Sequence, residues 1–269
     1  MPHHQGPHDR LFYELHPPQD EESVSVTFLH GLGSCCKDWI LQLPSVDVDF
    51  VVLTVDLPGH GGSTLRGIWP RISNFADDVA DLVRTLGLGP THVVGLSLGG
   101  LVAQELALDH PDLVSSLVLV NTFPKLHLWK MRGFRAHRRL PILLRGDMDA
   151  LGGWLAGELF PGDEMEEVRE LTKTRIKSNA RSAYVRNLLA VMRFDVRKRL
   201  RDITAPTLVV SGDRDSMVPR ELKESLVFGI PNAKIEIVND SGHATPIDSP
   251  EIFNRVLLNF LHEVDDLTV

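Results

Sequence analysis

HVVGLSLGGLVAQELAL, residues 92–108, joins two periodicities at one corner. Residues 92–95 form a short β-branched run, and from residue 98 the apolar positions continue as a helical segment. Between them stands Gly95-Leu96-Ser97-Leu98-Gly99, followed by Gly100. A strand that turns directly into a helix strains the residue at the corner, and glycines two before and two after it let the strand and helix approach closely. Such a corner holds the Ser97 hydroxyl out at the carboxyl edge of a sheet, where open α/β folds bind ligands. The helix also aims free N–H groups at that edge. In this strand–turn–helix setting Gly-x-Ser-x-Gly reads as a seat for a nucleophile rather than as a plain turn.

Outward from this corner, further short apolar runs read as buried strands: residues 24–29 (VSVTFL), 51–55 (VVLTV), 117–121 (LVLVN), 207–211 (TLVVS) and 234–238 (KIEIV). Segments with helical spacing lie between them, notably residues 75–86, 98–108 and 252–261. Strand and helix alternate, which predicts a mostly parallel central sheet flanked by helices on both faces. The alternation stops between residues 123 and 201, a stretch without a convincing strand that reads as several helices inserted between two strands. The predicted organisation is a flexible His- and Pro-rich tail over residues 1–10, a core over 11–122 and 202–269, and a helical cap over 123–201.

A serine hydroxyl needs a base. Of the 12 histidines, His243 sits in a polar loop just after the run KIEIV and so can overhang the carboxyl edge. His30 and His60 lie in glycine turns and read as shaping backbone; His92 reads as a strand residue and His110 as a helix end. The base needs an orienting carboxylate. The loop after TLVVS offers Asp213 and Asp215; spacing does not separate them, and Asp215 is preferred only because it lies farther into the loop. An oxyanion needs two backbone donors. One falls to Leu98, the residue after the nucleophile, and the other to the glycine-rich stretch 30–33 (HGLG) after an early strand.

Together, HGLG (30–33), DLPGHGGS (56–63), GLSLGG (95–100), GDRDSMVP (212–219) and SGHATPIDSP (241–250) resemble the α/β-hydrolase superfamily, in the chain order Ser, acid, His. The resemblance spans roughly residues 11 to 263 and is weak in the inserted segment. It implies an α/β-hydrolase fold, Asp215 as the catalytic acid, the N–H of Leu32 as the second oxyanion donor and a structural role for residues 56–63. Haloalkane and epoxide chemistry in this superfamily uses aspartate at the corner, so Ser97 implies acyl transfer to water. A carboxylesterase acting on small to medium acyl chains is the expected activity. Thioesterase, carrier-protein methyl esterase and carbon–carbon hydrolase are the alternatives, and a non-catalytic ligand-binding protein of the same fold comes last.

Composition narrows the partners. The chain has 269 residues, 43% of them hydrophobic, and a formal net charge of −8. Residues 122–201 nevertheless hold 18 Lys and Arg against 9 Asp and Glu, a net +9. Arg132, Arg135, Arg138, Arg139 and Arg145 make the predicted cap a candidate site for an anionic acyl group or an acyl carrier protein. No nucleic-acid motif, third dinucleotide-loop glycine or phosphate-loop lysine occurs, and no metal or other cofactor is implied. The adjacent Cys35 and Cys36 are poorly placed for a bridge and read as small packing residues. With no secretory signal and no long apolar run, a cytoplasmic protein without a transmembrane segment is expected.

Overall fold

The computed structural model describes residues 2–17, 24–126 and 136–267. Eight strands form one sheet: β1 (His3–Gln5), β2 (Arg10–His16), β3 (Ser25–Leu29), β4 (Val51–Val55), β5 (Thr91–Leu96), β6 (Val114–Val120), β7 (Thr207–Gly212) and β8 (Ala233–Val238). Their spatial order is β1-β2-β4-β3-β5-β6-β7-β8. β1 and β2 pair antiparallel, β2 joins β4 antiparallel, and the remaining pairs are parallel.

Parallel strands need crossovers and bury both faces. In β6, Leu117 and Leu119 pack into one core layer, while Val118 and Val120 point into the other. Each such buried aliphatic side chain contributes roughly 2 kcal/mol of transfer free energy. The first layer is covered by α2 (Ile72–Leu86), α3 (Leu98–Asp109) and α8 (Arg220–Gly229). The second is covered by α10 (Pro250–Asp266) together with Trp39. Two short helices, α1 (Leu43–Val46) and α9 (Thr245–Asp248), sit in loops at the edges of the core. Between β6 and β7 lie α4 (Ala136–Arg145), α5 (Met148–Leu159), α6 (Glu166–Ser178) and α7 (Arg181–Arg193).

The N-terminal residues depart from the flexible tail expected of them. β1 pairs with β2 through His3↔Phe12 and Gln5↔Arg10. The buried Asp78 of α2 accepts backbone N–H bonds from His8 at 2.7 Å and from Asp9 at 3.1 Å, and His4 Nε2 lies 2.7 Å from Asp81. A carboxylate reaching from a neighbouring helix supplies the acceptors that a His- and Pro-rich stretch does not advertise.

Strand order fixes where a ligand can sit. From β3 the chain crosses to β4 on one side and returns to β5 on the other. The carboxyl ends of β3 and β5 therefore splay their loops apart at a topological switch point. Leu29 of β3 is in register with Gly95 of β5, so residues 30–33 lie beside Ser97.

Candidate active site

Ser97 occupies the corner between β5 and α3 with φ 51° and ψ −109°. That is left-handed backbone on a residue with a side chain, and surrounding packing must hold it. Its N–H donates to Val120 O at 3.0 Å, and Thr122 Oγ1 donates to its carbonyl at 2.8 Å. A Cβ on Gly99 would stand 2.0 Å from Leu29 O, so only glycine lets α3 start this close to β3. The first helical bond runs from Leu101 N–H to Ser97 O, so the N–H of Leu98 precedes the intrahelical ladder.

The loop after β3 is a tight turn closed by Ser34 N–H to Gly31 O at 3.3 Å, with Gly33 at φ +86°. Leu32 is central to that turn. Two buried histidines brace it. His60 Nε2 accepts Gly33 N–H at 3.0 Å, and His30 Nε2 accepts Leu57 N–H at 2.9 Å. Both rings must therefore be neutral, with Nδ1–H donating to the carbonyls of Pro58 and Gly31 respectively. Burial pushes the His30 imidazole down to about 4 and that of His60 to about 3. The turn over residues 56–63 is thus tied to the loop that carries Leu32.

The loop after β7 carries both aspartates. Asp213 is exposed and its carboxylate accepts Ser241 N–H at 3.3 Å. Asp215 turns inward. Its Oδ1 accepts the N–H of Met217 at 2.8 Å and of Val218 at 3.0 Å, and both oxygens lie 3.1 Å from His243 Nδ1. Burial would push the Asp215 carboxyl up, but the His243 imidazole and the Lys223 ammonium outweigh it and hold it below the usual carboxylate range. Because an ionised carboxylate only accepts, Nδ1 of His243 carries the proton in that bond.

Ser97, Leu32 and His243 line one cavity. The inserted helices close it with Arg139 of α4, Leu155 and Leu159 of α5, Arg175 and Ile176 of α6 and Tyr184 of α7. The cavity is small, with a volume of about 80 Å³. Arg175 pairs with Asp38, also on the wall. Arg139 is buried, and its guanidinium carbon stands 5.7 Å from the Trp154 ring centroid. Arg145 is exposed at the end of α4, whereas Arg132, Arg135 and the side chain of Arg138 lie outside the described residues. His92 and His110 are elsewhere, bonded to Ser116 and Asp265 and to Asp77.

Two residues that the sequence reading passed over complete the surroundings. Asn121, at φ 44°, donates from Nδ2 to His243 O at 2.9 Å and accepts Gly212 N–H at Oδ1, 2.9 Å. Lys223 reaches Asp215 Oδ2 at 2.9 Å. Among the described residues, no group of three or more His, Cys, Asp or Glu side chains has a metal-holding arrangement, and no helix is long and apolar enough to cross a membrane.

Residues 28–256 match the sequence pattern of an alpha/beta hydrolase family. A protein of Stutzerimonas stutzeri named "Putative carbamate hydrolase RutD" is 30% identical over 260 residues, covering 94% of this chain and 97% of its own. Among solved structures, a hydrolase from Pseudomonas aeruginosa PA01 superposes with a TM-score of 0.84 at 27% identity, covering 94% of both chains. A thermophilic esterase from Thermogutta terrifontis superposes with a TM-score of 0.83 at 25% identity, covering 98% of this chain and 99% of the esterase.

Proposed function

The chain belongs to the alpha/beta hydrolase family, and on that premise we propose that it hydrolyses small carboxylic esters through an acyl-enzyme on Ser97. The observation that supports this reading is the strained Ser97 sharing one cavity with His243, whose Nδ1 is bonded to the buried Asp215. His243 Nε2 takes the hydroxyl proton as Ser97 attacks the carbonyl carbon, and Asp215 stabilises the imidazolium that forms. The oxyanion is met by the N–H groups of Leu98 and Leu32, each such donor being worth ~3 kcal/mol in the transition state. The imidazolium returns its proton to the departing alkoxide. Water, deprotonated by His243, then attacks the acyl-enzyme and releases the acid.

The small cavity favours the short end of the acyl range. A carbamate is the second reading, favoured by the name of the Stutzerimonas relative: its carbonyl suits the same attack, with nitrogen on the acyl side. An anionic acyl group, or one delivered by an acidic carrier protein, is the partner class suggested by Arg139 on the cavity wall and by the basic insert.

A panel of p-nitrophenyl esters of rising chain length, with a thioester, a lactone and a carbamate beside them, tests the reading on wild type and Ser97→Ala. Turnover of the short esters should fall by at least ~10⁴-fold in Ser97→Ala. Wild-type turnover of none of these substrates would instead favour a binding protein of this fold.

A further inference from the structure

We infer that Lys223 is a positioning residue for the site: its buried ammonium shares the Asp215 carboxylate with His243 and so sets how firmly His243 holds a proton. The inference rests on the reading of Ser97, His243 and Asp215 as a catalytic set.

Lys223 sits one turn into α8, and its side chain runs back beneath the loop that carries Asp215. The side chain is 1% exposed, and that of Asp215 is 0%. Three acceptors surround Nζ: Asp215 Oδ2 at 2.9 Å, Asn121 Oδ1 at 3.1 Å and Gly212 O at 3.4 Å. An ammonium has three N–H donors, so each finds an acceptor. Asn121 extends the connection, because the two N–H groups of its Nδ2 face three acceptors, His243 O at 2.9 Å, Gly242 O at 3.2 Å and Thr245 Oγ1 at 2.8 Å. The end of β6, the acid loop and the histidine loop thus meet at one lysine–asparagine bracket.

A buried ammonium is costly to desolvate, and ordinary packing would be served by methionine or leucine at this place. What the ammonium adds is charge. Asp215 faces His243 with one side and Lys223 with the other. Burial lowers the Lys223 ammonium from its usual range while the Asp215 carboxylate holds it up, and positive charge against Oδ2 weakens the pull of the carboxylate on the imidazole Nδ1–H. The other charged groups nearby are committed elsewhere. Arg220 of α8 bonds Glu224, Arg214 pairs with Asp240, and Asp213 accepts Ser241 N–H. Asp248 of α9 accepts the Ser241 hydroxyl and Gly242 N–H. Arg175 and Asp38 pair with each other across the cavity wall, and Arg139 lies against Trp154. Among the described residues, Lys223 is the lysine or arginine bonded to the Asp215 carboxylate.

The test compares wild type with Lys223→Met, Lys223→Gln and Lys223→Arg. In both neutral variants the acid limb of the pH profile of kcat/KM should move up by about one pH unit. KM should stay within about twofold and kcat at the optimum should fall by about tenfold, the cost of a looser acid loop. Lys223→Arg should restore the limb to its wild-type position. Lys223→Gln, which can still donate to Oδ2, serves if the methionine variant does not fold. A titration of the His243 ring by NMR, assigned by difference against His243→Gln, reads the same coupling without turnover, and its midpoint should rise in the neutral variants. A limb and a midpoint that stay put while kcat and thermal stability fall would overturn the proposal and leave Lys223 a structural residue. A shifted midpoint in a protein without Ser97-dependent turnover would uphold the coupling while the catalytic reading failed.

Discussion

Ser97 and Asp215 owe their positions to different constraints. Ser97 is held by backbone crowding that glycine alone permits, and the glycines stand in the sequence at fixed spacing around it, so the corner is legible from residue type. Asp215 is chosen by where a loop turns. Asp213 and Asp215 share composition and surroundings in the sequence, and resemblance rather than spacing separates them. In the structure the two N–H bonds from Met217 and Val218 turn the Asp215 carboxylate inward, while Asp213 faces out. Asp215→Asn should therefore lower kcat by about 10³–10⁴-fold. It should also cost about 3 kcal/mol or more of stability, because it strips the buried Lys223 of its counter-ion. Asp213→Asn should leave kcat within a few-fold. Steady-state kinetics and thermal melts on the two variants check this, and comparable losses at both positions would refute the assignment. Lys223 and Asn121 were illegible for a related reason: a lysine one turn into an amphipathic helix reads as solvated, and an asparagine at a strand end reads as turn chemistry.

At the scale of elements, the six parallel strands and the helices beside Ser97 follow from apolar runs with the right period, whereas β1 and β2 do not. β1 is three residues long and β2 sets one fully buried side chain, Leu11, among half-buried and exposed ones, so what orders them is the ladder between them, the pairing of β2 with β4 and Asp78 across on α2. The histidine brace is another feature made between elements. His60 in the turn after β4 supports the loop after β3, and both His60 and His30 are buried and neutral. An unfolded imidazole titrates near ~6.5. Below that pH the unfolded chain binds protons that these folded sites refuse. The stability they support is thus complete above ~6.5 and drains as pH falls toward about 4 for His30 and about 3 for His60. Asp78, pushed up to about 6 by burial, works in the opposite direction, but equally in wild type and variant. His60→Gln keeps an acceptor for Gly33 N–H without a titrating ring. Its melting temperature at pH 7 should be lower, by the equivalent of about 1–2 kcal/mol. Between pH 6.5 and 4.5 it should lose stability less steeply than wild type. Parallel curves would mean that His60 does not carry this dependence.

At the scale of the whole molecule, charge is divided by architecture. The insert of net +9 lies on a chain whose formal charge is −8, and its helices close the cavity over the carboxyl edge of the sheet. For an anionic substrate of the kind proposed, two separate effects are expected. Exposed insert cations such as Arg145 act at a distance through water, and salt screens them over a Debye length of ~8 Å at 0.15 M. Arg139, buried in the cavity wall, would meet such a substrate at contact, where screening is far weaker. For an ester whose acyl group ends in a carboxylate, kcat/KM should fall severalfold between 0.05 and 0.5 M salt, roughly the range over which the screening length shrinks from above to below 10 Å. The neutral isostere should change by less than about twofold. Arg139→Gln should raise KM for the carboxylated ester by about tenfold or more, the loss of one buried charge-assisted contact, and should leave the salt slope in place. The slope would then belong to the surface and the KM to the wall. Equal salt dependence for the two esters, together with equal loss on both in Arg139→Gln, would assign the basic insert to solvation and Arg139 to packing.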